Sequence, residues 1–141
     1  MAAFAPLNAI ALAALRCPGA IVIRATSGAW KELRRSIEQL CSNGPGELSL
    51  PISDIGENGD TPFPSVTTLV FRCGMEGLRQ AQSGSTLVIE GDGDDLLTLS
   101  ENFDIANPVE GSHYHSDDWT PGVLPNAVPL VFLHVAQQSA L

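Results

Sequence analysis

Apolar positions switch between two periods along the chain, and the switches mark the elements. Trp30, Leu33, Ile37 and Leu40 recur at intervals of three and four, which is one face of a helix. Thr26 or Ser27 can cap its start, and Asn43-Gly44-Pro45-Gly46 ends it. Ahead of it the β-branched run Ala20-Ile21-Val22-Ile23 reads as a strand, and behind it Glu47-Leu48-Ser49-Leu50 alternates like a half-buried one. A polar loop rich in Gly and Pro runs from Ser53 to Pro64, and Val66–Phe71 forms the next strand. The second half follows the same order: strand Thr86–Ile89, helix Asp92–Ala106, a short strand at His113-Tyr114-His115, a loop, and strand Leu130–Leu133.

The two halves align. Trp30, Leu33, Ile37 and Leu40 match Leu96, Leu99, Phe103 and Ala106 at a constant offset of 66, and Ile21 matches Leu87. Leu48 and Leu50 then fall on His113 and His115 at an offset of 65, and Leu69-Val70-Phe71 on Leu130-Val131-Phe132 at 61. This predicts one α+β domain over residues 1–141, with tandem βαββ units at 19–73 and 85–136 joined by Gly74–Gly84. Together they form a sheet of roughly six strands with the helices on one face. Residues 1–18 are expected to add an N-terminal helix. No Lys or Arg precedes the apolar run Ala2–Leu15, and Arg16-Cys17-Pro18 stands where a signal peptide would place small residues. The run is also shorter than the roughly 20 residues a membrane span takes.

Charge sharpens this picture. Seven basic and seven acidic residues cancel over residues 1–84, so the entire net charge of −9 rests on the nine acids of residues 85–141, where no Lys or Arg occurs. Such a field repels nucleic acid and anionic membrane and favours a basic partner. Cys17, Cys41 and Cys73 are odd in number and have no CxxC spacing, so they read as buried thiols of a cytoplasmic protein rather than a disulfide framework or zinc knuckle.

Three stretches are candidates for chemistry. His113 and His115 share one face of a strand, and with Asp117 they offer the ligand types of a small zinc site. The H-x-H-x-D order is similar to the first metal motif of metallo-β-lactamase-type hydrolases, which continues with a histidine where this chain has Asp118. The alignment with Leu48 and Leu50 instead points both histidines at packed surface, so neither metal nor cofactor is expected. Gly91-Asp92-Gly93-Asp94-Asp95 reads as a helix start, with Asp92 as the cap and Asp94 and Asp95 against the positive helix end, rather than as a calcium or phosphate loop. Trp119, after Asp117 and Asp118 and before Thr120-Pro121-Gly122, either folds over the sheet or stands exposed as an anchor in an acidic rim. No G-x-S-x-G occurs, and no cysteine has a histidine near it in sequence.

The second half also carries a family resemblance. Leu87-x-Ile89-x-Gly91-Asp92, Leu96-x-x-Leu99, Gly111-x-His113-x-His115-x-Asp117 and Leu130-Val131-Phe132 resemble small bacterial polymorphic-toxin immunity proteins, in particular the family numbered thirty-two. The Gly91-Asp92 pair with His113, His115 and Asp117 is the specific part. The resemblance implies a non-catalytic antidote that binds and blocks a cognate protein toxin. The acidity suggests a basic toxin such as a nuclease, met by Asp94, Asp95, Asp117, Asp118 and Trp119. A structural or assembly module is the alternative, and a small metal-dependent enzyme using His113, His115 and Asp117 a second one.

Overall fold

The computed structural model describes residues 10–43, 46–103, 111–117 and 119–135, which form an α+β domain of nine strands and two helices. In chain order these are β1 (Ala13–Arg16), β2 (Ile21–Ala25), α1 (Ser27–Ser42), β3 (Gly46–Pro51), β4 (Ser53–Glu57), β5 (Thr68–Cys73), β6 (Arg79–Ser83), β7 (Thr86–Gly91), α2 (Gly93–Glu101), β8 (His113–Ser116) and β9 (Leu130–His134). They make two mixed sheets, one of five strands in the order β4-β1-β2-β9-β8 and one of four in the order β3-β5-β7-β6. The single sheet of about six strands is thereby corrected. Strand β2 takes its parallel partner from the end of the chain, Ile21 opposite Leu130, while β5 pairs in parallel with β7, Leu69 opposite Leu87. Each half thus lends a strand to the other.

The expected N-terminal helix is a strand where it is described. Cys17-Pro18-Gly19-Ala20 turns the chain, with the Cys17 amide bonded to the Ala20 carbonyl at 2.8 Å, and β1 folds back along β2. Alanine favours helix intrinsically, but β1 pairs along its whole length with its hairpin partner on one edge and, with a register shift at Leu15, with β4 on the other, and that overrides propensity. Residues 1–9 of that call lie outside the described set. Two stretches read as connections are strands as well. Ser53–Glu57 pairs in parallel with β1, and Arg79–Ser83, taken for linker, pairs antiparallel with β7. The end of the second helix as expected, through Ala106, also lies outside the described residues; the helix they show closes at Asn102.

Recurring pairings link the halves. Ala13 opposite Arg24 has its counterpart in Arg79 opposite Glu90, and Ile21 opposite Leu130 in Leu87 opposite Leu69. Leu48 lies opposite Phe71, and Tyr114 opposite Phe132, so Leu48 corresponds to Tyr114 and not to His113. The aligned register was one residue off, and in a strand a one-residue slip exchanges the faces. His113 and His115 therefore point out to solvent, while Tyr114 and Ser116 turn inward.

Both helices follow their sequence cues. The Thr26 hydroxyl accepts from the Ala29 amide at 3.3 Å, and α1 buries Trp30, Leu33 and Ile37. It packs on α2 and on strands of both sheets, and the buried residues of both sheets and both helices form one core cluster among the described residues. Trp30 fills its centre, its ring 4.9 Å from Phe103 and 5.8 Å from Phe132, and its indole N–H donates to the Leu133 carbonyl at 3.1 Å. A buried indole needs such an acceptor, and this one fixes α1 to β9.

The β1–β4 edge is held by charge. Arg16 Nε donates to Asp54 at 2.9 Å and its guanidinium reaches the Phe63 carbonyl at 3.1 Å; the two side chains are only 14% and 13% exposed. Asp54 also accepts from the amides of Val66 at 2.7 Å and Gly56 at 2.8 Å, so one carboxylate organises the whole 53–66 loop. Burial alone would push the Asp54 carboxyl up, but the Val66 amide, the Arg16 guanidinium and the Gly56 amide together hold it below its ordinary range. A depressed folded-state value means that Asp54 contributes stability fully above its unfolded pKa and loses it as pH falls through the lower folded one. Asp54→Ala is expected to cost on the order of 3 kcal/mol in urea unfolding at neutral pH, because it leaves Arg16 only the more exposed Glu57 at 3.6 Å and removes the acceptor of the Val66 and Gly56 amides. The cost should shrink below about pH 4, where the parent loses the same contribution.

Candidate functional site

The candidate residues of the second half gather where three segments meet: the start of α2, the 74–78 loop and the turn after β8. The start of α2 is a capping box. Asp92 accepts from the Asp95 amide at 2.8 Å, and Asp95 reaches back to the Asp92 amide at 3.3 Å. The same Asp95 carboxylate accepts from the Gly77 amide at 2.7 Å, so it also ties down the 74–78 loop. Gly91 leaves room for this arrangement, since a Cβ there would stand 3.0 Å from that of Asp95 and 3.2 Å from Leu78. Asp94, one residue earlier in the helix, is exposed and forms no part of the capping box.

The 74–78 loop is bonded in turn to the segment after β8. Leu78 donates to the Gly122 carbonyl at 2.9 Å and accepts from the Leu124 amide at 2.8 Å, an isolated parallel bridge. Gly77 sits at φ 92°, and a Cβ there would meet Leu124 at 2.8 Å, so both backbone and space demand glycine. Within the turn Asp117 accepts from the Trp119 amide at 3.0 Å and the Thr120 hydroxyl at 3.3 Å. Its carboxylate shapes the loop that presents Trp119, which is 91% exposed. Met75, on the adjoining loop, is 75% exposed, and Glu76 beside it is exposed too. The two most exposed large apolar side chains of the described residues thus stand on loops bonded to each other, with Glu76 next to Met75 in sequence and the exposed Asp94 beside the Asp95 that binds the Gly77 amide.

Behind this rim lies a buried polar contact between the sheets. Gln80 of β6 donates to the carbonyls of Ser116 at 3.0 Å and Val128 at 2.9 Å, and Ser116 donates its hydroxyl back to Gln80. Both side chains are buried, and the mutual bonds satisfy them without water. Burial, and after it the Asp117 carboxylate, push the Tyr114 phenol upward.

Of the acids that the sequence reading assigned to a partner-binding rim with Trp119, Asp95 and Asp117 spend their carboxylates on backbone amides and serve the fold, while Asp94 is exposed. Asp118 lies outside the described residues. Met75 and Glu76 were missed; the only cue was a large apolar residue inside a Gly-flanked connection. His113 and His115 stand together, ring centroids 5.0 Å apart, but Asp117 does not join them, since its carboxylate is turned into its own loop. Among the described residues no three His, Cys, Asp or Glu side chains come together as a metal site requires. The cysteines are half-buried rather than buried, and Cys41 touches Cys73. Burial and that neighbour push the Cys41 thiol up to about 11. Basic residues collect on α1, where Lys31, Arg34, Arg35 and Glu38 line a hollow of about 270 Å³ and the arginines pair with Glu38 and Glu32.

In comparisons with known proteins no family model matches the chain, and neither a curated protein nor a solved structure does. Among the described residues no helix is long and apolar enough to cross a membrane.

Splitting the acids into fold and surface is open to test by urea unfolding. Asp95→Ala is expected to cost about 1–2 kcal/mol, the loss of a capping carboxylate that also holds Gly77. Asp94→Ala should stay within about 0.5 kcal/mol of the parent. Equal costs would mean that the capping box does not bear on stability.

Proposed function

We propose that the protein is a non-catalytic binding module, an immunity protein that neutralises a basic protein toxin in the cytoplasm. The observation that carries this reading is the exposure of Trp119 and Met75 on two mutually bonded loops that also carry, or adjoin, the exposed acids Glu76 and Asp94. A large aromatic on a loop whose backbone is already tied by hydrogen bonds has the form of an interface anchor, since little ordering of the loop remains to be lost on binding. The surrounding carboxylates favour a cationic partner and speed its approach. The resemblance of the second half to polymorphic-toxin immunity proteins supplies the partner's class, and the uncompensated charge of residues 85–141 fits it. The recurring strand pairings favour descent of the two halves from one duplicated unit, larger than βαββ because each begins with an additional strand.

The first test is co-expression with the product of the adjacent reading frame, where the parent protein should restore growth. Trp119→Ala should then speed dissociation, by about 2 kcal/mol or more in affinity. Glu76→Lys with Asp94→Lys should slow association and flatten its dependence on salt. Unchanged rates in both variants at low and high salt would remove the rim from the interface.

A further inference from the structure

We propose that His113 and His115 form a two-imidazole chelate for a late first-row divalent cation, Cu²⁺, Ni²⁺ or Zn²⁺, on the outer face of β8. The inference is independent of the toxin-binding reading and rests on other residues. Both side chains are exposed on an edge strand, on the face opposite to Tyr114 and Ser116. Their rings stand edge to face with centroids 5.0 Å apart. A cation bonded to one nitrogen of each ring at about 2.0–2.1 Å, with a bond angle of about 90–110°, sets the centroids roughly 4.5–5.3 Å apart. The pair already has that spacing, so binding needs ring rotation and no movement of the strand.

The tautomer is prepared as well. His113 Nδ1 lies 3.0 Å from the Gly111 carbonyl oxygen, which can only accept, so in the neutral ring the proton sits on Nδ1 and Nε2 keeps its lone pair. A backbone carbonyl holding the far nitrogen is the usual support of a metal-bound histidine. The strand beside β8 places Leu133 opposite His113 and Val131 opposite His115, and β2 beyond it places Arg24 and Val22. Arg24 is thus the cation that the register sets in the row of His113, two strands away. The argument against a metal was the alignment of these histidines with Leu48 and Leu50; their actual counterparts are Glu47 and Ser49, both exposed.

With no third protein ligand among the described residues, water completes the coordination. Such a site takes borderline metals in the order Cu²⁺ above Ni²⁺ and Zn²⁺, and leaves Mg²⁺ and Ca²⁺, which want oxygen ligands, unbound.

The experiment is calorimetric titration of the full chain with CuCl₂, NiCl₂, ZnCl₂ and MgCl₂ at about pH 7.5, repeated at about pH 5.5 where free imidazoles are protonated. One Cu²⁺ or Ni²⁺ per chain is expected, with no response to Mg²⁺ and a large loss at the lower pH. His113→Ala and His115→Ala should each weaken binding about tenfold or more. A second measurement needs no variant: at substoichiometric Cu²⁺ the imidazole proton resonances of His113 and His115 should broaden well before those of buried His134. Binding that survives the double substitution, equal broadening of all three histidines, or no Cu²⁺ and Ni²⁺ binding by the parent would overturn the assignment.

Discussion

Two parallel pairings, β2 with β9 and β5 with β7, set the terms for everything else in the molecule. A strand's amides and carbonyls must find partners when buried, and for β2 and β7 one full edge of them is matched only across the halves. Side chains follow the same exchange. Ile21 and Ile23 lie beside Leu130 and Phe132, and Leu69 and Phe71 beside Leu87 and Ile89, so each sheet's inner face is half from one segment and half from the other. Trp30 reinforces the exchange by donating from α1 to the last strand. Buried residues from both halves accordingly join in one core cluster.

Local cues carried what was legible beforehand. The helix faces, the Thr26 and Asp92 caps and the strands at Ile21, Leu48, Leu69, Leu87 and Leu130 are each decided within a few residues, and the periods show them. What escaped is decided at a distance. The alanines of β1 prefer helix until β2 and β4 flank them, although Pro18-Gly19 was a hairpin cue in plain view. Arg79–Ser83 has a polar composition because its outer face meets solvent and Gln80 faces a partner in the other sheet. The histidine register failed for a different reason. An alignment fixes a strand's face only if its gap is placed to the residue, and here the shift from an offset of 66 to 61 falls after β8, not before it.

Acidity also had to be divided by use. Asp54, Asp92, Asp95 and Asp117 each spend their lone pairs on backbone amides or an arginine. Asp94 and Glu76 are the exposed acids left at the rim where Trp119 and Met75 stand. Net charge alone could not separate these groups, because a carboxylate that closes a loop and one that faces a partner count the same in a sum. The rim is shaped by the first kind and presented to solvent by the second.

The position of β9 bears on how the chain is completed as it leaves the ribosome. The four-stranded sheet can close as soon as Gly91 has emerged, since β3, β5, β6 and β7 all precede that point. The five-stranded sheet cannot, because β9 is an inner strand, between β2 and β8, and is the last of the described strands in chain order. At ordinary synthesis rates β2 waits on the order of ten seconds for its neighbour, with one edge open all that time. Closure of the five-stranded sheet then waits on one strand, and every nascent chain stopped short of Leu130 leaves the β2 edge without its parallel partner.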